Sequence, residues 1–320
     1  MQEMFLGEAI KKRRLELGLT QEQLCEGICE PITISRLENG KQTPSRNRIN
    51  ALLERLDIPA DRYYALLSKH ELDVDALQKE IISLNARFEK VTLDEKPQIR
   101  KLVLEAHKNL EAIIDDDDTL SRQFILRSRV VVGTDNGPYN LDEKRAILTE
   151  AIRMTVPRFE LDDINRGLYT NDEIKIINQL ALAYSKAQKS MDAIGIWSQL
   201  YRYIQKHFHN LPSTRARLSS VAYNYAKELE IIGQFQNAIE IAEEAQRACL
   251  DYGFYHSLPG LLVIQAGCYH SLGYDAKSRD FYFQAYYLMR VVGDNTNLQI
   301  LIRNAQRDIG LIFEDQGQSL

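Results

Sequence analysis

Residues Thr20 to Pro44 read TQEQLCEGICEPITISRLENGKQTP, and their punctuation decides the fold of the amino-terminal region. Thr20 is placed to cap a helix, and Gln23 three residues on completes a capping box. Pro31 suits the first turn of the next helix, where its missing N–H would have no partner anyway. Ile34 and Leu37 recur at helical spacing and are expected in the core, which leaves Ile32, Thr33 and Arg36 outside. Gly40 stops the helix, because glycine enters the left-handed region without penalty. Upstream, GEAIKKRRLELGLT predicts a first helix ended by Gly18. Downstream, Ser45 to Leu56 predicts a fourth, with Ile49, Leu52, Leu53 and Leu56 as its apolar stripe.

Caps, turns and core positions agree together, and the stretch resembles the helix-turn-helix of the Xre/lambda-repressor family. Such a unit lays its second helix in the major groove of double-stranded DNA. Gln21 opens helix two, where a side-chain amide and backbone N–H groups can meet a phosphate. Thr33 and Arg36 are the candidates for base edges; Arg36 fits either a bidentate pair with guanine or a phosphate contact. Ile32, Asn39, Lys41 and Arg13 complete the expected DNA-binding surface.

Charge agrees in its distribution rather than its sum. Residues 1–58 balance, nine basic against nine acidic side chains, so the formal net charge of −5 lies in the remainder. Lys11, Lys12, Arg13 and Arg14 run together, and Arg36, Lys41, Arg46 and Arg48 cluster after the turn. A local basic patch is what phosphate binding needs; a solvated helix face is the plainer reading of Lys11–Arg14.

At 320 residues the chain has room for a second domain with a large core. It has no apolar run near the ~20 residues that span a bilayer, and no leader pattern opens it. A soluble cytoplasmic protein is expected. Cys25, Cys29, Cys249 and Cys268 fit free, buried thiols. No metal is expected, since Cys25 and Cys29 lack a second ligand pair. His207 and His209 fall on different helix faces, and Asp115–Asp118 reads as a solvated loop. No cofactor and no enzyme activity are expected, for there is no phosphate loop, zinc-helix pattern or nucleophile elbow.

From residue 70 the chain reads as all-α. A linker helix is predicted over Glu71–Val91 on Leu72, Leu77, Ile81, Ile82, Leu84 and Phe88. Further helices follow over Pro97–Ile114 and Leu120–Val132, then a turn-rich break at Gly133–Pro138. Small residues then recur in phase. Ala181, Ala226 and Ala266 are 45 and 40 residues apart; Ala193, Ala238 and Ser278 repeat those intervals, as do Leu200, Ala245 and Ala285. Gly233 and Gly273 mark turns between paired helices, with Phe235 and Tyr274 expected to fill the joints. This resembles the tetratricopeptide repeat, stretched beyond its usual ~34 residues. The first repeat lacks the turn glycine, a fourth around Ala146 is fainter, and Thr296–Phe313 is expected to cap the array.

The first helix of each pair should line the concave face of such a superhelix. That face is expected to show Lys175, Asn178, Gln179, Leu182 and Lys186, then Ser220, Tyr223, Asn224, Lys227 and Glu230. In the third repeat Leu261, Ile264 and Gln265 are the nearest candidates. Asparagine competes with the helix backbone for hydrogen bonds, so two on one face suggest a use. An amide can pair with both the N–H and the C=O of an extended peptide, and the lysines would answer a peptide carboxylate. Packing or solvated positions are the alternative.

The whole layout resembles the Rgg and PlcR-like (RNPP) regulators of Gram-positive bacteria, most specifically in GEAIKKRRLELGLTQEQLCEGIC and VAYNYAKELEIIGQFQNAIEIAEEA. The resemblance implies a helix-turn-helix domain over 1–66, a linker helix over 67–92 and a tetratricopeptide-repeat superhelix over 93–320. It also implies a homodimer that binds a DNA operator and is controlled by a short signalling peptide in the repeat groove. The peptide-binding residues would be Lys175, Asn178, Lys186, Tyr223, Asn224, Lys227 and Gln265. A repeat domain that docks a protein partner is the alternative.

Overall fold

The computed structural model describes residues 6–59, 69–208, 212–253, 255 and 257–313, and these are helical apart from turns, loops and one isolated bridge between Thr134 and Gly137. The chain falls into two compact units, one running through Ala183 and the other from Tyr184 onward.

The first unit opens with four short helices: α1 (Leu6–Glu16), α2 (Gln21–Cys25), α3 (Pro31–Glu38) and α4 (Arg46–Arg55). The capping box forms, with Gln23 N–H on Thr20 Oγ1 at 3.1 Å and Thr20 N–H on Gln23 Oε1 at 2.8 Å. Ile10, Leu24, Ile28, Ile34, Leu37, Ile49, Leu52, Leu53 and Leu56 make one core. Each such side chain contributes ~1.5–3 kcal/mol on burial, so together they outweigh the poor propensity of helices this short.

Next come α5 (Lys69–Lys90), α6 (Lys96–Ile113) and α7 (Thr119–Val132). The expected linker helix is a full member of this bundle. Val74, Ile81 and Phe88, seven residues apart, are buried against Val103, Leu110, Phe124 and Ile125. Leu72 and Ile82 point to solvent, so the sequence stripe was drawn too wide. Gln78 donates to Ser121 Oγ (3.1 Å) and Asn85 to Ser128 Oγ (2.7 Å). These two bonds repeat at the same seven-residue interval on both helices and fix the register of α5 on α7. Asp118 caps α7 by accepting the Ser121 N–H at 3.0 Å, a use that a plain solvated loop did not suggest.

Helices α8 (Leu141–Arg153) and α9 (Asn171–Lys186) follow. The head packs onto this part of its own unit. Arg55 on α4 donates to the carbonyls of Leu24 (2.9 Å), Glu26 (2.8 Å) and Thr155 (2.9 Å). Gly27 has φ +71°, and a Cβ there would overlap the Thr155 backbone, so glycine is required twice over. Glu54 accepts the Asn171 N–H at 2.9 Å, capping the start of α9.

The second unit holds α10 (Ser190–His207), α11 (Pro212–Ile231), α12 (Phe235–Tyr252), α13 (Leu258–Ser271), α14 (Asp275–Val292) and α15 (Asn295–Ile309). All nine repeat positions, from Ala181 to Ala285, have no exposed surface. Gly233 (φ +78°) and Gly273 (φ +81°) turn the chain between partners, and Gln188 takes the same conformation (φ +62°) where the first repeat lacks glycine. Tyr274 does not fill a joint; it is 57% exposed, edge-on to Tyr269, with Lys277 Nζ 5.8 Å from its ring centroid. His207 stacks on Tyr203, while His209 lies outside the described residues.

Candidate functional site: a recognition helix and an inner-helix cavity

The face of α3 is built as its sequence requires. Ile34 and Leu37 are buried; Ile32 (56% exposed), Arg36, Asn39 and Lys41 face solvent, with Thr33 at the margin. Asn39 Nδ2 caps the helix end on the Ser35 carbonyl at 2.7 Å.

The basic run of α1 divides, which corrects the reading of it as one patch. Lys11 and Lys12 are exposed, but Arg14 is 7% exposed and grips Glu38 in two bonds, Nε–Oε1 at 2.6 Å and Nη2–Oε2 at 3.0 Å. The guanidinium is held protonated by the Glu38 bond despite burial. Gln21 donates to the same carboxylate at 2.8 Å, so Glu38 joins α1, α2 and α3 at one point. Arg13 is half-buried, with Nε on the Leu56 carbonyl at 3.1 Å and Nη1 on Glu16 at 3.2 Å. Arg48 is engaged by Asp117 at 2.5 Å, and this bond lowers the Asp117 carboxyl below the usual carboxylate range.

In the second unit α11, α13 and α15 enclose a cavity of 390 Å³. Ser220, Tyr223, Asn224, Lys227 and Glu230, the five residues expected on the inner face of α11, all line it. The Tyr223 ring reaches Gly260, where an added Cβ would come within 2.5 Å of it. Lys227 Nζ is drawn over that ring, 6.0 Å from its centroid.

On α13 the inner face is Gly260, Val263 and Ile264. Leu261 and Gln265 are fully buried instead, and Gln265 donates to Gln246 on α12 at 2.8 Å, so Gln265 is not a wall of the cavity. Carrying the 40-residue interval forward from Ser220, Tyr223 and Asn224 gives Gly260, Val263 and Ile264; the sequence held the register and the choice of Gln265 departed from it. The same step gives Ile300 and Asn304, which line the cavity with Asn297, Leu301, Arg307 and Asp308 of α15. The last helix, expected to cap the array, thus also supplies a cavity wall. Lys175, Asn178 and Lys186 are carried by α9 and are not among the walls of this cavity. Lys175 Nζ pairs with Asp172 at 2.7 Å, and Lys186 is exposed.

All four cysteines are free, with Cys29 only half-buried, and no group of acidic, His or Cys residues is placed to hold a metal among the described residues. No described helix is long and apolar enough to cross a membrane.

Residues 10–63 match the family described as helix-turn-helix. No curated protein sequence matches the chain. Among solved structures it is similar to PlcR of Bacillus thuringiensis in complex with the peptide PapR7 and DNA, at 19% identity and TM-score 0.53, over 93% of this chain and 99% of that one. ComR from S. thermophilus, in complex with DNA and its signalling peptide, is similar at 15% identity and TM-score 0.50, over 96% and 100% of the two chains. The pheromone receptor Rgg2 (C45S) of Streptococcus dysgalactiae gives 13% identity and TM-score 0.51, over 96% and 100%. Residues 10–63 therefore form a helix-turn-helix domain of the Xre type, and over 93–96% of its length the chain shares the all-α fold of PlcR, ComR and Rgg2.

Proposed function

We propose that this chain is a transcriptional regulator whose DNA binding is controlled by a short signalling peptide held in the cavity between α11, α13 and α15. The observation that carries the reading is the convergence of Ser220, Tyr223, Asn224, Lys227 and Glu230 on one 390 Å³ cavity. Its walls suit an extended peptide: Val263, Ile264, Ile300 and Leu301 supply apolar contact, and Asn224 and Asn304 supply amides that can donate and accept. PlcR and ComR, which share the fold, were solved with a peptide and DNA.

On this reading residues 1–66 bind the operator through Gln21, Ile32, Thr33, Arg36, Asn39, Lys41 and Arg13. Residues 67–92 connect, and 93–320 bind peptide and dimerise. The protein acts in the cytoplasm as a homodimer, its two heads reading half-sites ~34 Å or a multiple apart. The peptide must prefer one arrangement of the dimer over another, or it could not alter DNA binding.

The test is direct. Short peptides fractionated from culture supernatant are added to the full chain, and melting temperature and operator affinity are followed. A fraction that raises the one and changes the other supports the reading. If every fraction is silent and the chain instead responds to a protein partner, the repeat domain is a docking platform.

A further inference from the structure

The five charged side chains that line the cavity are unequally matched. Arg307 Nε lies 2.7 Å from Asp308 Oδ1, and Asp308 Oδ2 accepts the Tyr282 hydroxyl at 2.5 Å. Asp294 accepts from Asn297 N–H at 3.2 Å and from its Nδ2 at 2.7 Å, capping α15. Lys227 is drawn to the Tyr223 ring. Glu230 forms no hydrogen bond or ion pair among the described residues.

Its position is nonetheless built. The carboxylate rests on the backbone of α13 at Gly267, where an added Cβ would come within 2.5 Å of Oε1. Gly267 stands 40 residues after Lys227, in phase with the inner face, so α13 leaves room there for a side chain from α11. Glu230 is half-buried; a carboxylate partly withdrawn from water without a partner is costly, and a cation in contact with it offsets that cost.

We propose that Glu230 is a specificity-determining residue of the cavity, and that it receives a cationic group of the bound peptide: a basic side chain or a free amino terminus. The inference rests on the peptide reading and deepens it. Around Glu230 stand Lys227 of α11, Cys268 of α13, Tyr282 of α14, and Arg307 and Asp308 of α15. Burial raises the Glu230 carboxyl to about 7, ahead of the opposing pull of Lys227. Cys268 and Tyr282 are raised by burial too and remain neutral near pH 7. A cationic ligand then displaces a proton from Glu230, so its affinity rises from pH 6 to 8.

The test uses the full chain and pools of synthetic heptapeptides, random except for a fixed central arginine or its uncharged analogue citrulline. Each pool is made with a free and with an acetylated amino terminus. Bound peptides are quantified by mass spectrometry at pH 6 and 8. A charged pool should be retained about tenfold over its neutral twin, more so at pH 8, because hydrogen bonds to charged groups are the stronger ones. Whether arginine or the free terminus carries the preference identifies the source of the cation. Glu230→Gln should lose the preference while still retaining neutral peptides, and Glu230→Asp should keep it. Equal retention of all pools by the parent chain would overturn the assignment and leave the peptide reading standing. Retention of none would end both. A Glu230→Gln chain that melts as the parent does and keeps the full preference would show that another group selects the cation.

Discussion

Arg55 Nη2 donates to the carbonyl of Thr155 at 2.9 Å, across 100 residues of sequence. The same guanidinium holds the Leu24 and Glu26 carbonyls at the end of α2, with Glu173 at 3.7 Å. One side chain therefore closes the helix-turn-helix and fastens it to the segment between α8 and α9. Ile32, Arg36 and Asn39 of α3 stay exposed. Arg55→Ala should take the donor from three carbonyls and the facing cation from the buried Glu173, which keeps only the Thr170 N–H, and should lower stability by about 3–5 kcal/mol. Urea unfolding of the full chain checks this. Gly27→Ala should act in the same direction, since the Thr155 backbone must give way; parent-like midpoints for both would mean that the head does not dock here in solution.

Glu38 is the corresponding fastener inside the head. Glu38→Ala strands the Arg14 guanidinium in the core and releases Gln21. We expect a loss of about 3–5 kcal/mol, with DNA binding falling on every sequence because α3 loses its support. Gln21→Ala removes only the neutral arm of the network. It should cost ~0.5–1.5 kcal/mol of stability and weaken specific and scrambled duplexes alike. A sequence-dependent effect of Gln21→Ala would mean that its amide reads bases.

Arg36 is exposed and next to Ile32 and Thr33 on the same face of α3. Arg36→Ala should cost ~1–3 kcal/mol of operator affinity if it reads a base, with less change on scrambled DNA. Titrations on both duplexes at one salt concentration decide the matter; equal losses on both would make it a phosphate contact.

Local chemistry explains which features could be read in advance. Thr20, Gln23, Pro31 and Gly40 act on their own neighbours, so the head was legible residue by residue. The repeat phase was legible because each small residue answers the same close approach of two helices. Arg14 was not: a run of four basic residues gives no sign that the last finds a carboxylate 24 residues on. Nor was Gln188 at φ +62°, because the array imposes that conformation on a residue that does not prefer it. Glycine is a poor helix residue, and nothing local in the sequence shows why Gly260 and Gly267 stand in α13; each leaves room for a side chain of α11, Tyr223 and Glu230. Asn304 was legible in principle, 80 residues after Asn224.

His107 offers a pH test of the bundle. It is buried, 2.8 Å from Ser128 Oγ, and burial followed by the nearby Arg129 charge lowers it to about 4. The neutral ring is therefore the folded form. A base lowered in this way adds stability above its ordinary pKa of ~6.5, and that stability is lost as pH falls from ~6.5 through ~4. The loss should reach ~3 kcal/mol in the parent and be absent in His107→Gln. Urea midpoints of both proteins at pH 7 and 4.5 measure the difference; parallel curves would place His107 in contact with water.

The cavity amides give the most direct test of peptide control. Asn224 and Asn304 line it from α11 and α15 at the same repeat position. Each can pair with the backbone of an extended peptide, and a buried peptide group that loses such a partner cannot recover it from water. Each Asn→Ala change should therefore cost ~1–3 kcal/mol of peptide binding, roughly tenfold or more in affinity. Neither lies in the head, so operator binding without peptide should match the parent, and only the peptide-dependent change should fade. Calorimetry with an active peptide, paired with operator titrations, separates the two effects. If Asn224→Ala and Asn304→Ala both keep the full peptide response, the amides are structural and the peptide is held by other contacts.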